Sequence, residues 1–221
     1  MLWIRNGRYI KYIPKHYRNA TTVFITSRYY FLNLEKYKKL NLTELNYNGG
    51  MESVLNQSGS QNFMYNTQLK QLLKNITSLT TDKIDNHFID FVLPNIPRKI
   101  KSICLFSRDF EFKSIEFILT NFQNLQDLRL FTDLCQQDLL LFQNHMFNSL
   151  KTLYLNSFTS YDKFNINFNH FPVLTKLHLD YVRNLYLHGI SNLTFLELNF
   201  IDLKCINSFG NIAPKLRILI L

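Results

Sequence analysis

The sequence predicts an α/β solenoid: a curved parallel sheet of short strands, each followed by a helix or an extended return segment. Three observations carry this. A phrase recurs, apolar, two variable, Leu, two variable, Leu, one variable, Leu. It reads FQNLQDLRL from Phe122, FNSLKTLYL from Phe147, FPVLTKLHL from Phe171, ISNLTFLEL from Ile190 and APKLRILIL from Ala213. Counting the first Leu of the core as position 1, the copies open at Leu125, Leu150, Leu174, Leu193 and Leu216, in steps of 25, 24, 19 and 23 residues. Units of that size stack as a repeat array, because none closes a core alone. The composition is globular, 46% apolar and 19% charged, with only 6 Gly and 5 Pro, too few for a sandwich of many tight turns.

Positions 4 and 6 alternate as a strand with one buried face, and position 1 lies where the chain turns into that strand. Earlier copies follow the same frame. Ile100 opens IKSICL, Ile76 opens ITSLTT, Leu42 opens LTELNY and Ala20 opens a loose ATTVFI. The expected array runs over 41–221 with six to eight repeats. Its widest step, from Leu42 to Ile76, contains an insertion, placed at the Asn, Gly, Ser and Gln-rich residues 46–62.

The basic charge is concentrated at the start. Of 25 Lys and Arg, nine fall in residues 1–39, against the single acid Glu35. The segment 1–40 is expected to cap the first repeat with Trp3, Ile4, Ile10, Ile13, Val23 and Phe24. The return segments are read in order. Leu69, Leu72, Leu73 and Ile76 share one helical face, as do Ile84, Phe88, Phe91 and Val92 before the breaker Pro94. Ile115, Ile118, Leu119 and Phe122 form a third such face, and Leu139, Phe142 and Met146 a fourth. Lys163–Phe168 alternates like a strand, and the short return YVRNLYLHGI is expected to be extended. A short helix is expected over Lys204–Ile212. The chain stops in mid-repeat, with Ile218 and Ile220 on an open edge strand. Such an edge suggests a truncated array and invites further repeats or another chain to pair with it.

These residues resemble the leucine-rich repeat superfamily, whose signature is L-x-x-L-x-L followed by x-x-Asn or Cys. The match covers residues 76–221 well and 20–75 loosely. Position 9 departs from it, holding Arg108, Asp133, Phe158, Val182 and Ile201 in place of Asn or Cys. The irregular spacing is similar to that of repeats in F-box and related intracellular adaptors, although the Leu-Pro-x-Glu opening of an F-box module is missing. The resemblance implies a protein-binding module, with positions 3, 5 and 7 of each strand on the concave face. The candidate partner-binding residues are then Phe106, Asp127, Arg129, Phe131, Tyr154, Asn156, Lys176, His178, Asp180 and Glu197. Such a mixture of Arg, Tyr, His and Phe suits a protein interface, with substrate recognition for ubiquitin ligation as one setting.

Catalysis finds little purchase. Cys104 and His178 fall in one lateral row but three strands apart, about 14 Å, beyond the reach of a thiolate–imidazole pair. His178 can pair with Glu197 next door, yet no nucleophile follows. The six His show no i, i+4 pair, and GxxxxGK[ST], GxGxxG and GxSxG are absent. No enzyme activity, metal or cofactor is expected.

A second function class is carried by Arg5, Arg8, Lys11, Lys15 and Arg18, interleaved with Tyr9, Tyr12 and Tyr17. Such a surface suits nucleic acid or an anionic membrane. The three cysteines Cys104, Cys135 and Cys205 include no CxxC pair, which argues against a disulfide framework or zinc ribbon. With no signal peptide and no run long enough to span a membrane, a cytoplasmic or nuclear protein is expected. The Asn-x-Ser/Thr triplets at Asn19, Asn41, Asn56, Asn75 and Asn192 then reflect Asn-rich composition rather than glycosylation.

Overall fold

The structure, a computed structural model, describes residues 2–4, 22–25, 41–47, 70–82, 84, 88–106, 112–132, 136–156, 164–181, 185–199 and 213–221. The chain divides into two compact units, Met1–Ile100 and Lys101–Leu221. Both are built on open sheets whose paired strands run parallel, with helices among the returns of an α/β fold.

In the N-terminal unit the strands are β1 (Leu2–Ile4), β2 (Thr22–Ile25), β3 (Glu44–Tyr47) and β4 (Ser78–Thr81), paired in chain order. Val23 aligns with Leu45 and Leu45 with Leu79, so position 4 meets position 4 from copy to copy. β1 extends the ladder, Leu2 facing Val23 and Ile4 facing Ile25. The segment expected as a cap thus supplies two ladder strands, and β1 was not among the copies read from sequence.

The insertion expected at 46–62 starts later. Asn46 and Tyr47 belong to β3. Tyr47 occupies position 6, where a ring replaces the usual Leu, and lies buried against Phe88 with centroids 5.4 Å apart. The helix expected over Ile84–Val92 is also corrected. Phe88–Val92 is a π-turn and Leu93–Asn95 a 3₁₀ turn, with Pro94 at the start of that second turn rather than beyond a helix. Proline lacks only an N–H that the first helical residues leave unpaired in any case. Residues 70–73 are helical, and Leu72, Leu73 and Ile76 are buried as expected.

The C-terminal unit contains β5 (Ser102–Phe106), α1 (Phe112–Asn121), β6 (Asp127–Phe131), α2 (Gln136–Asn144), β7 (Thr152–Asn156), β8 (Phe164–Asn167), β9 (Lys176–Asp180), β10 (Leu185–His188), β11 (Phe195–Asn199) and β12 (Ile218–Ile220). Its main sheet has the order β5-β6-β7-β9-β11-β12. β8 and β10 leave that sheet and pair with each other in parallel, Leu185 facing Phe164. Both were expected to be extended, but their pairing into a second small sheet was not.

The core follows from the period of two. Ile103, Leu105, Leu128, Leu130, Leu153, Leu155, Leu177, Leu179, Leu196 and Leu198 fill positions 4 and 6 and are buried. Truncating any of them to Ala is expected to cost about 2–5 kcal/mol. From the return side, Ile115, Ile118 and Leu119 of α1 and Leu141 and Phe142 of α2 are buried too. Met146 is not: it is 59% exposed. α2 ends at Asn144, so Met146 falls after the helix, and Phe147, the next residue, takes the place as the inward anchor.

The apolar residue that leads each phrase has a distinct task. Its carbonyl accepts a hydrogen bond from the amide of position 1, closing a tight turn into the strand: Leu125 to Phe122 (3.0 Å), Leu174 to Phe171 (3.1 Å) and Leu193 to Ile190 (3.1 Å). Its side chain stays inside, and Phe147 and Phe171 stack with centroids 4.5 Å apart and planes 6° from parallel.

Adjacent copies are also stitched at position 2. The carbonyl of Lys101 accepts from both Gln126 and Asp127, that of Gln126 from Lys151 and Thr152, that of Lys151 from Thr175 and Lys176, and that of Thr175 from Thr194 and Phe195. Threonine hydroxyls reinforce the stitch, Thr77 donating to Thr43, Thr175 to Lys151 and Thr194 to Thr175. Two residues earlier, side chains form a ladder: Asn75 donates to Asn41 (2.8 Å) and Lys99 to Asn75 (3.3 Å). In the C-terminal unit Lys215 donates to Asn192 (2.7 Å). The position-9 residues Arg108, Asp133, Phe158, Val182 and Ile201 lie outside the described residues, as does the helix expected over 204–212.

Candidate functional site

Positions 3, 5 and 7 of β5, β6, β7, β9 and β11 point away from the leucine core, because a strand's side chains alternate. The lateral rows expected from sequence are realised. Cys104, Arg129, Tyr154, His178 and Glu197 align in register, as do Phe106, Phe131, Asn156, Asp180 and Asn199. Ser102, Asp127, Thr152, Lys176 and Phe195 form the third row. All ten candidate residues therefore lie on one face of one unit.

Two features cross this face, each combining contacts along a row with diagonal steps between rows. The first is a strip of five rings running diagonally. Phe106 and Phe131 stack with centroids 4.2 Å apart and planes turned by 15°. Phe131 meets Tyr154 at 4.5 Å and 31°, Tyr154 meets His178 at 5.4 Å and 33°, and His178 meets Phe195 at 4.8 Å and 36°. The strip spans five neighbouring strands and descends from position 7 to position 3. Phe106 is 39% exposed, and the other four rings are partly exposed.

The second feature is a polar network on the β7–β9–β11 part of the face. The Tyr154 hydroxyl donates to Oδ2 of Asp180 in a short hydrogen bond. Asn199 Nδ2 donates to Oδ1 of Asp180 (2.7 Å) and to Oε1 of Glu197 (3.2 Å). His178 Nδ1 lies 2.7 Å from Oε2 of Glu197, so this nitrogen carries the hydrogen between them. Asp180 is only 6% exposed, and a carboxylate so placed needs such donors. The Asn199 hydrogen bond, and then His178, hold the Glu197 carboxyl below the usual carboxylate range, against the opposing pull of burial. Burial and the neighbouring Asp180 push the Tyr154 hydroxyl well above the usual phenol range, so it remains a donor.

Arg129 stands apart from this network. Its guanidinium grips Asp127 on its own strand, Nε to Oδ1 at 3.1 Å and Nη2 to Oδ2 at 3.0 Å. Partial burial pushes the Cys104 thiol up to about 11, against the lowering effect of Arg129 beside it. It is thus a protonated thiol at neutral pH, three strands from His178. Among the described residues no three or more His, Cys, Asp or Glu gather to hold a metal ion. No helix among them is long and apolar enough to cross a membrane.

Sequence reasoning brings the site together by position. It places Phe195, which ends the ring strip, and Asn199, which bridges two carboxylates, on the same face, though outside the candidate set. The participant it does not single out is Tyr181. It follows β9, is half exposed, and adopts φ 58° with its amide donating to the Asn199 carbonyl (2.9 Å). A bulky residue in that conformation carries strain. The alternative set Arg5, Arg8, Lys11, Lys15 and Arg18 lies outside the described residues. No protein family, curated protein or solved structure matches this chain.

Proposed function

We propose that this chain is a non-catalytic protein-recognition module of the leucine-rich-repeat type, taking its partner on the face that carries the ring strip. The observation behind this is the continuous run of five partly exposed rings, Phe106 to Phe195, bordered by a hydrogen-bonded carboxylate network. Scattered exposed rings are ordinary on protein surfaces. Five in contact across five strands make a contiguous apolar patch with a polar rim, which is how protein interfaces are composed. The solenoid architecture is supported by the repeated turn, the position-2 stitch and the in-register leucines. The irregular repeat lengths favour an intracellular adaptor, with recognition of substrates for ubiquitin ligation as its setting.

Pull-down from native lysate tests this. Arg129→Ala, Tyr154→Ala and His178→Ala should each weaken capture of one partner while circular dichroism stays unchanged. If all three retain it in full, this face is not the binding surface.

A further inference from the structure

Beyond residue 39 the chain is nearly balanced in charge, with 16 Lys and Arg against 15 Asp and Glu. The turns that lead into the strands are not balanced. In the C-terminal unit they are residues 122–126, 147–151, 171–175, 190–194 and 213–217, each running from the leading apolar residue to position 2, and all lie among the described residues. None of them holds an Asp or Glu. Lys151, Lys215 and Arg217 fall in them, Lys101 holds position 2 of the copy before, and Lys176 opens β9. All five cations are exposed.

The position-2 stitch fixes where three of them stand. The backbones of Lys101, Lys151 and Arg217 are hydrogen-bonded to neighbouring copies, so these residues share one row at the edge where the strands begin. Strands lie about 4.8 Å apart, which puts Lys151 about 10 Å from Lys101 and Arg217 about 14 Å further on. None of the three makes an ion pair among the described residues. Asp127, next to the row, is held by Arg129 at 3.0 Å. Glu197 and Asp180, at positions 5 and 7, lie about 10 and 17 Å along their strands from position 2.

Cations spaced so widely do not converge on one small anion. They suit a polymer whose charge repeats at every monomer, because a charge then lies near each cation in any register. An acidic peptide has no such repeat, and its carboxylates would need matching intervals. Membrane attachment needs an apolar anchor besides the charges, and Val173 is the single large hydrophobic side chain exposed in these turns. A phosphodiester chain has the repeat. Its oxygens take Lys and Arg together with Asn and Gln, and Asn124 and Gln126 stand between Lys101 and Lys151, on the turn into β6.

We propose that the strand-entry edge of the C-terminal unit, through Lys101, Lys151 and Arg217, binds the phosphodiester backbone of a nucleic acid without reading its sequence. This surface is separate from the ring-bearing face and does not depend on it. The test titrates the full chain into fluorescein-labelled oligothymidine, oligocytidine and a duplex of equal length, over a series of KCl concentrations, with anisotropy as the readout. The two single strands should bind alike, and affinity should fall linearly with salt on logarithmic axes. Lys101→Gln, Lys151→Gln and Arg217→Gln should each lower that slope by about 0.7 on single strands or about 0.9 on the duplex, and the triple variant should lose most of the binding. Tighter binding of either form supports the edge and says which form it takes. Binding that keeps its full slope in the triple variant would overturn the proposal; if Gln at Arg5, Arg8, Lys11, Lys15 and Arg18 removes it instead, the N-terminal segment is the site. No binding to any of the three probes at low salt would overturn it too. So would preference for polyglutamate or phosphatidylserine vesicles over nucleic acid, lost in the triple variant.

Discussion

Tyr154 is registered opposite His178, yet its hydroxyl bonds to Asp180, two residues further along β9. The ring packs against one neighbour while its polar tip serves another. This diagonal contact couples the aromatic strip to the carboxylate network, so one side chain belongs to both.

Replacing Tyr154 by Phe separates these roles. The ring and its contacts to Phe131 and His178 remain, while the nearly buried Asp180 carboxylate loses one of the two side-chain donors it has among the described residues. The expected cost is about 1–3 kcal/mol, read as a lower midpoint in urea with an unchanged slope. Asn199→Ala removes the other donor, and the double variant should depart from additivity because both act on one carboxylate. Strict additivity would show that the two hydrogen bonds are independent.

Glu197 makes stability depend on pH in one direction. Its folded-state carboxyl is held below the ordinary range, about 4.3 for a free Glu. The stabilisation is therefore complete above that ordinary value and is lost as pH falls through the lower, folded one. Melting temperatures of the wild type and Glu197→Gln should differ at neutral pH and converge on acidification. A gap that widens toward low pH would contradict the network as drawn.

Cys104 should react slowly. With its thiol pushed up to about 11, the thiolate that alkylates is scarce at neutral pH. Peptide-resolved mass spectrometry after iodoacetamide treatment should show modification of Cys104 rising steeply with alkaline pH. Arg129→Ala should slow it further, since the guanidinium favours the thiolate. Faster labelling in that variant would mean that Arg129 acts chiefly as a shield.

Gly189 follows β10 at φ 76°, and a Cβ there would lie 2.3 Å from Oδ1 and 2.5 Å from the backbone nitrogen of Asn169. The side-chain oxygen can move; the backbone cannot do so without disturbing the β8–β10 pair. Gly189→Ala is expected to destabilise by about 1–3 kcal/mol, from the left-handed backbone and the clash together. Hydrogen exchange should quicken first in 164–171 and 185–190. Uniform protection across the unit would place the effect elsewhere.

Much of this was legible in the sequence because the leucines keep one period wherever a strand must bury one face. Leu125, Leu150, Leu174, Leu193 and Leu216 set the register, and the register set the rows. The short returns were legible for the same reason: KFNINF alternates. What escaped depends on geometry that pattern does not encode. Met146 fits a helical face on paper, but α2 stops at Asn144. β1 pairs through three residues only, Leu2–Ile4, too few to display the spacing that marks a copy. The ring strip steps between rows at Phe131–Tyr154 and His178–Phe195, and such diagonal contacts are not set by spacing along the chain.

The stitch and ladder between copies cast the Asn-x-Thr triplets differently. In 41–43, 75–77 and 192–194 the three residues are the ladder amide, the position-1 core residue and the position-2 threonine of the stitch. The spelling of a sugar acceptor thus arises here from the wiring between repeats. An oligosaccharide on Asn75 or Asn192 would compete with the contacts that hold neighbouring copies together, so secretion through a glycosylating compartment would set modification against folding at those seams.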